Sequence, residues 1–348
     1  MRLGVIAENP LEFIALRLGL GPTPLADTAV ALFLARTIMA ATSLGIFEAL
    51  AAGPLVPAEV AARCGADPRA TAKLLFALAG SDYLRVRGER YELAPVARRW
   101  MLTSSRYSLR DATLHRYLDL RMMEHMEEYL RTGRPTDYHE TMSEGQWDLY
   151  QRGQRSHALL AAREIAWRVP APRGARTMLD IGGAHGHYAV ALCRRHRGLR
   201  ATILDLPSAV AHAAPLLARE NMGQRVVHTV GDARTADLGS GCYDLVLIAN
   251  LLHHFDDATN SALMGRVARA LRPGGQVAVV ELISAASPRA AGQVGALAGL
   301  YFAVTSASGA WSYAEIAGWQ RAAGLIPRKP ITLLTAPGSG IQAATKPA

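Results

Sequence analysis

From about residue 171 the chain alternates short apolar runs with stretches in which apolar residues recur at helical spacing. The apolar runs predict strands at 177–181, 201–205, 225–230, 243–250 and 276–283, and the stretches 188–196 and 258–271 predict helices between them. Strand and helix in alternation make a mostly parallel sheet. Arg272-Pro273-Gly274-Gly275 is a helix stop that leads back into a strand. Residues 329–346 turn at Pro337-Gly338-Ser339-Gly340, and are read as a closing antiparallel hairpin. The expectation is an α/β domain over 171–348, a Rossmann-like, mostly parallel seven-stranded sheet with an antiparallel terminal hairpin.

The first 105 residues have a different rhythm. Leu25 to Ala41 reads as an apolar helix, with a second around 44–50. Pro57 to Cys64 and Pro68 to Ser81 read as helix, turn, helix, with Asp67 as the cap of the latter. Tyr83 to Leu93 alternates on both sides of Gly88, as a β-hairpin does. Helix-turn-helix plus hairpin is a winged helix, so 1–105 is expected to be a mainly helical winged-helix module. Its would-be recognition helix offers only Arg69, Thr71 and Lys73 toward a groove. Base readout needs several donors on one face, so dimerisation is the preferred reading over DNA binding. Residues 106–170 are expected to be helical, with Arg116 to Arg131 and Trp147 to Trp167 as helices, and to roof a pocket. Tyr150, Gln154 and His157 share one face of the second and are candidate substrate contacts.

Composition narrows the function. The 348 residues are half apolar, which fits two globular domains. The net charge of +9 invites a nucleic-acid reading, but only three of the 38 basic residues are lysines and the arginines are scattered. No binding stripe results, and no nucleic-acid partner is expected. Cys64, Cys193 and Cys242 lie far apart without metal-ligand spacing, as reduced thiols of a cytoplasmic protein do. The apolar run Thr28 to Phe47 carries Arg36, which argues against a membrane span.

The chemistry concentrates at the ends of the predicted strands. Thr177 to Ile181 runs into a turn containing Gly182, Gly183 and Gly186, the strand–glycine–helix passage that brings a nucleotide-like ligand against bare backbone. The dinucleotide fingerprint is broken by Ala184 and His187, which disfavours a nicotinamide oxidoreductase. Asp180 before the turn would repel a pyrophosphate but suits the α-ammonium of an amino-acid-bearing nucleoside, and S-adenosylmethionine is such a molecule. Asp205 ends the next strand, 25 residues on, where this fold places an acid on ribose hydroxyls. Asp232 ends the third and can reach an adenine amino group. Asn250, at the tip of the fourth, joins the candidate cofactor contacts.

The fourth strand leads into Leu252-His253-His254-Phe255-Asp256-Asp257, and the fifth ends on Glu281. His253 and Glu281 therefore leave one sheet edge on neighbouring strands, the pairing of a general base with an orienting carboxylate. His254 is read instead as part of the cap of the following helix. With no histidine after 254 and no cysteine near it, no metal site is expected. For the acceptor pocket the weakly charged segment before Tyr313 supplies Tyr301, Phe302, Thr305, Ser306 and Trp311, a wall suited to a largely apolar molecule.

Taken together, Leu-Gly-Ile-Phe-Glu-Ala-Leu (44–50), Leu-Asp-Ile-Gly-Gly-Ala-His-Gly (179–186), Asp-Leu-Pro (205–207), Gly-Asp (231–232), Leu-His-His-Phe-Asp-Asp (252–257) and Leu-Arg-Pro-Gly-Gly (271–275) resemble the two-domain, S-adenosylmethionine-dependent small-molecule O-methyltransferases over essentially the whole chain. The family includes caffeate and acetylserotonin methyltransferases and bacterial tailoring enzymes. The resemblance implies a winged-helix domain that makes a homodimer, and cofactor contacts at Gly182, Asp205, Leu206, Asp232 and Ala233. It places the family's base on His253 and its first orienting acid on Glu281. The family's second orienting acid falls on Tyr313, and the Asp-Trp after the base is His254-Phe255 here. Some members of the family methylate carbon or nitrogen. The competing reading from another class is a winged-helix DNA-binding regulator.

Overall fold

The computed structural model describes residues 4–136, 142–306 and 308–348. The chain divides into two compact units, one ending at Tyr117 and the other beginning at Leu118.

In the first unit, Thr23 to Ser43 is one continuous helical stretch with a π-helical segment at Ala26–Val30, longer at both ends than its apolar pattern predicts. It is long and apolar enough to cross a membrane, and Leu25, Val30, Leu32 and Phe33 on it are exposed in the single chain. Arg36, the charge that argued against a span, lies with its guanidinium 4.8 Å from the Tyr117 ring centre. Pro57–Cys64 and Pro68–Gly80 form the helix-turn-helix, and the Asp67 side chain accepts from the Ala70 N–H as its cap. Strands β1 (Leu84–Arg87) and β2 (Arg90–Leu93) make the wing, turning at Gly88. Phe47, Leu50, Val60, Leu75, Leu78 and Leu84 close the core beneath it.

The second unit begins inside the helix Arg110–Met123. A second helix, Met126–Thr132, follows a break at Glu124 and His125, where a single helix was expected. The long helix Glu144–Arg168 leads to the sheet. Its strands are β3 (Thr177–Ile181), β4 (Arg200–Asp205), β5 (Val226–Val230), β6 (Tyr243–Ala249), β7 (Leu271–Leu282), β8 (Ile326–Pro327), β9 (Ile331–Thr332) and β10 (Ser339–Thr345). The order is β5-β4-β3-β6-β7-β10-β8, with β9 also on β10. Among the described residues the sheet thus has eight strands, where seven were expected. Pro327 and Pro330 flank the interruption between β8 and β9, and a proline cannot donate to a ladder. β3 to β7 pair in parallel, and β10 runs antiparallel along β7 from Ser339↔Leu282 to Thr345↔Gln276. The chain therefore builds outward from β3 through β4 to β5, then returns to the other side of β3 with β6. That reversal opens a crevice at the carboxyl ends of β3, β4 and β6, where ligands of such sheets bind.

Candidate active site

The glycine turn sits at the head of this crevice. Gly182 has φ 68° and its N–H donates to the Leu204 carbonyl at 2.8 Å. A Cβ there would come within 2.8 Å of the Leu251 side chain, so the position admits only glycine without rearrangement. Gly183 lies directly over Asp180, and Gly186 caps the helix His187–Arg195. Backbone of Gly182 and Ala184 is thereby laid open along one wall of a cavity of about 230 Å³.

The three strand-end acids differ in their surroundings. Asp205 is oriented by backbone, accepting from the Ala184 N–H at Oδ2 and the Leu206 N–H at Oδ1, both at 2.8 Å. Asp232 accepts Nε and Nη2 of Arg234, and this ion pair holds its carboxyl below the usual carboxylate range. Asp180 is 1% exposed, and neither of its oxygens has a hydrogen-bond partner among the described residues. Burial, reinforced by the charge of Asp205, pushes it up to about 8. Of the candidate cofactor residues, Gly182, Asp205, Leu206, Asp232, Ala233 and Asn250 border the cavity, whereas Asp180, Gly183 and Gly186 lie behind its wall.

Beside this cavity the His253 Nδ1 and a Glu281 oxygen are 2.9 Å apart, both side chains buried. The other Glu281 oxygen accepts the N–H groups of Leu251 and Leu252, each at 2.7 Å, so the carboxylate is fixed by the chain segment that carries the histidine. Asn260 and Trp311 brace that segment further, both donating to the Leu252 carbonyl. The Phe302 ring stacks on the His253 imidazole, centroids 4.2 Å apart and planes within 8°. His254, its ring centre 4.1 Å from that of His253, borders the cavity and links it to the histidine–glutamate pair. The cap of the helix Asp257–Ala270 is Asp256, accepting from the Thr259 N–H, and not His254 as expected.

The remaining candidates separate. Tyr150 borders the cavity, while Gln154 and His157, farther along the same helix, do not. Tyr301 donates its hydroxyl to Asp119 at 2.8 Å, which anchors the helix Pro288–Thr305 just before Phe302. Thr305 and Ser306 are buried, and Thr305 donates back to the Tyr301 carbonyl. Trp311 packs edge-on against Trp319. Tyr313 donates to the Ile331 carbonyl and lies against Gly340, directed at β9 and β10. Sequence reasoning missed Trp147, Gln151, Arg234 and Phe255, which also border the cavity. Arg234, two residues past a strand-end acid, was the one with a local signal.

These residues fit S-adenosylmethionine. A backbone cradle and two acids at adjacent strand tips suit a nucleoside better than a phosphate. Fold and site together thus define a nucleoside-binding methyltransferase domain. The family model for the O-methyltransferase domain matches residues 115–324, and that for the O-methyltransferase dimerisation domain matches 27–104. The chain belongs to the S-adenosylmethionine-dependent O-methyltransferases. It is 29% identical to a 3-hydroxy-5-methyl-1-naphthoate 3-O-methyltransferase of Streptomyces sahachiroi, covering 93% of this chain and 95% of that one. It is 31% identical to the acetylserotonin O-methyltransferase of Mus musculus molossinus, over 77% and 74%. Among solved structures, human N-acetylserotonin methyltransferase in complex with S-adenosylmethionine superposes with a TM-score of 0.83 at 21% identity, over 99% of this chain and 100% of that one.

Proposed function

We propose that the protein methylates a hydroxyl group of a small, largely apolar metabolite, aromatic or polyketide-like, with His253 as general base and Glu281 orienting it. The observation that carries this is the buried His253–Glu281 pair at 2.9 Å, one residue from the wall of the acid-lined cavity. Asp205 would hold the ribose hydroxyls of the donor and Asp232 its adenine amino group, against Gly182, Leu206 and Ala233. The bound donor supplies a methyl group on a positively charged sulfur. The protein's own part is alignment and proton removal. With a carboxylate accepting at Nδ1, the imidazole presents its lone pair at Nε2, where it takes the acceptor's hydroxyl proton. Phe302 and the Glu281 contacts hold that ring on one face and one edge. The protein would act as a homodimer formed through residues 27–104.

The test uses labelled S-adenosylmethionine and a panel of hydroxynaphthoates and N-acetylserotonin, with products read by mass spectrometry. His253→Ala should keep donor affinity and lower turnover by about 10²- to 10⁴-fold, the usual share of a positioned base. Turnover within threefold of wild type removes the base assignment, and label on carbon or nitrogen removes the hydroxyl acceptor. Asp205→Ala should weaken donor binding at least tenfold by calorimetry, and unchanged affinity removes the ribose role.

A further inference from the structure

The helix Glu144–Arg168 turns one stripe to the cavity. Trp147, Tyr150 and Gln151, at i, i+3 and i+4, all border it, and Trp147 meets Tyr150 edge-on with ring centres 5.9 Å apart. Ties on either side fix the stripe. His212 Nε2, on the helix Pro207–Ala218, lies 2.7 Å from a Glu144 oxygen, and Arg155 donates to Glu220 just past that helix. Gln151, between them, is 1% exposed, and its amide oxygen has no hydrogen-bond partner among the described residues. Gln276 and Gln320, also buried, have that oxygen paired, with Arg328 Nη1 at 3.3 Å and Gln342 Nε2 at 3.4 Å. An unpaired buried amide oxygen costs free energy, so Gln151 carries on the cavity wall an acceptor that a ligand can satisfy.

Strand order says which part of a ligand it would meet. The sheet runs β5-β4-β3, with Asp232 just past β5, Asp205 at the tip of β4 and the glycine turn after β3. A donor whose adenine lies at β5 and whose ribose lies at β4 therefore extends its remaining end toward the glycine turn. The helix stripe is held beside that same turn, because Glu220 also lies 3.5 Å from His187, the first residue of the helix that leaves it. Gly182 and Ala184 border the cavity together with Gln151, whereas Asp180, the acid expected at this end, lies behind the wall. The remaining end of S-adenosylmethionine is an α-amino acid, and an amide can accept from its ammonium and donate to its carboxylate.

We infer that Gln151 binds the donor's amino-acid end, its amide oxygen accepting from the α-ammonium. The inference rests on the nucleoside placement proposed above, and the experiment separates the two.

Calorimetric titrations of S-adenosylmethionine are compared with those of 5′-methylthioadenosine, which shares the nucleoside and sulfur but has no amino acid. Gln151→Met, close in volume and without the amide, should weaken S-adenosylmethionine about ten- to a hundredfold, the usual share of one hydrogen bond to a charged group, and leave 5′-methylthioadenosine within about twofold. In the ligand-free protein the same change removes an unpaired buried oxygen, and should raise the melting temperature by about 2 to 4 °C in scanning fluorimetry. A glutamine kept for packing would give the opposite sign, so a variant that melts lower, or does not fold, overturns the inference. Equal loss for both ligands would place the amide on the nucleoside, and a raised KM for a hydroxynaphthoate with donor affinity unchanged would place it on the acceptor; either overturns the inference, as does no loss at all. Asp205→Ala is the control and should weaken both ligands alike. If it weakens neither, the nucleoside placement itself fails; if it weakens both while Gln151→Met is silent, only the role of Gln151 falls.

Discussion

Two buried groups close to the glycine turn titrate in opposite senses, and together they shape stability against pH. Asp180 is pushed up to about 8 by burial and by Asp205, so between its unfolded value of about 3.9 and 8 the folded chain holds a proton that the unfolded chain does not. Its contribution to stability is present at low pH and is lost as pH rises through that window. His185 is pushed down to about 3, first by burial and then by the charges of His187, Arg155 and His157, so between 3 and about 6.5 the unfolded chain holds the extra proton. Its contribution is present above 6.5 and is lost as pH falls. The two slopes oppose each other below about 6.5 and leave only the Asp180 slope above it. The protein free of ligand should therefore lose melting temperature between pH 6.5 and 8, and Asp180→Asn should remove most of that loss. Scanning fluorimetry of both proteins across pH 5 to 9 is the check, and parallel curves would show that Asp180 is not the group responsible.

At the scale of elements, what could be read from the chain was what is local in it. The strand 177–181 and the helix 57–64 match their apolar periods because each is buried in a regular pattern and bounded by glycine or proline. The strand-end acids were legible because each follows an apolar run. The break at Glu124 and His125 was not, since no glycine or proline marks it, and the split of the last strands was blurred because β8 and β9 have two residues each. Contacts between distant segments left no trace either, such as Phe302 on His253, or the tie between the helix Glu144–Arg168 and the helix His187–Arg195. That tie is Glu220, buried just past the helix Pro207–Ala218 and accepting from Arg155 on the long helix and Arg194 on the helix after the glycine turn. The His187 ring, 3.5 Å away, and Arg155 hold its carboxyl far below the usual range. Glu220→Gln leaves both guanidinium groups without their counter-ion, one of them partly and the other half exposed. The loss should be about 1 to 2 kcal/mol in urea denaturation, less than for a fully buried pair because both arginines remain partly solvated. A change below 0.5 kcal/mol would mean that the two helices are held by their apolar contacts alone.

For the molecule as a whole, the open question is what covers the helix Thr23–Ser43. Leu25, Val30 and Phe33 are each more than half exposed, and Leu32 nearly half. A soluble chain rarely leaves so many large apolar side chains along one element in water. Two occupants suit the helix by length and composition, a bilayer and a second copy of the chain. The match of residues 27–104 to a dimerisation domain favours the second, and so does Arg36, whose guanidinium is already engaged with Tyr117 within the same unit. Interfaces of obligate dimers bury upward of about 2,000 Å² and are rich in apolar side chains, so a charge in the middle of one is poorly tolerated. Phe33→Glu should therefore shift the protein from dimer to monomer at micromolar concentration in light-scattering chromatography, with the wing hairpin and the sheet still folded by circular dichroism. Wild-type protein that runs as a monomer and sediments with phosphatidylcholine vesicles would assign the helix to a bilayer instead. A dimer that survives Phe33→Glu would place the contact on another face of the first unit.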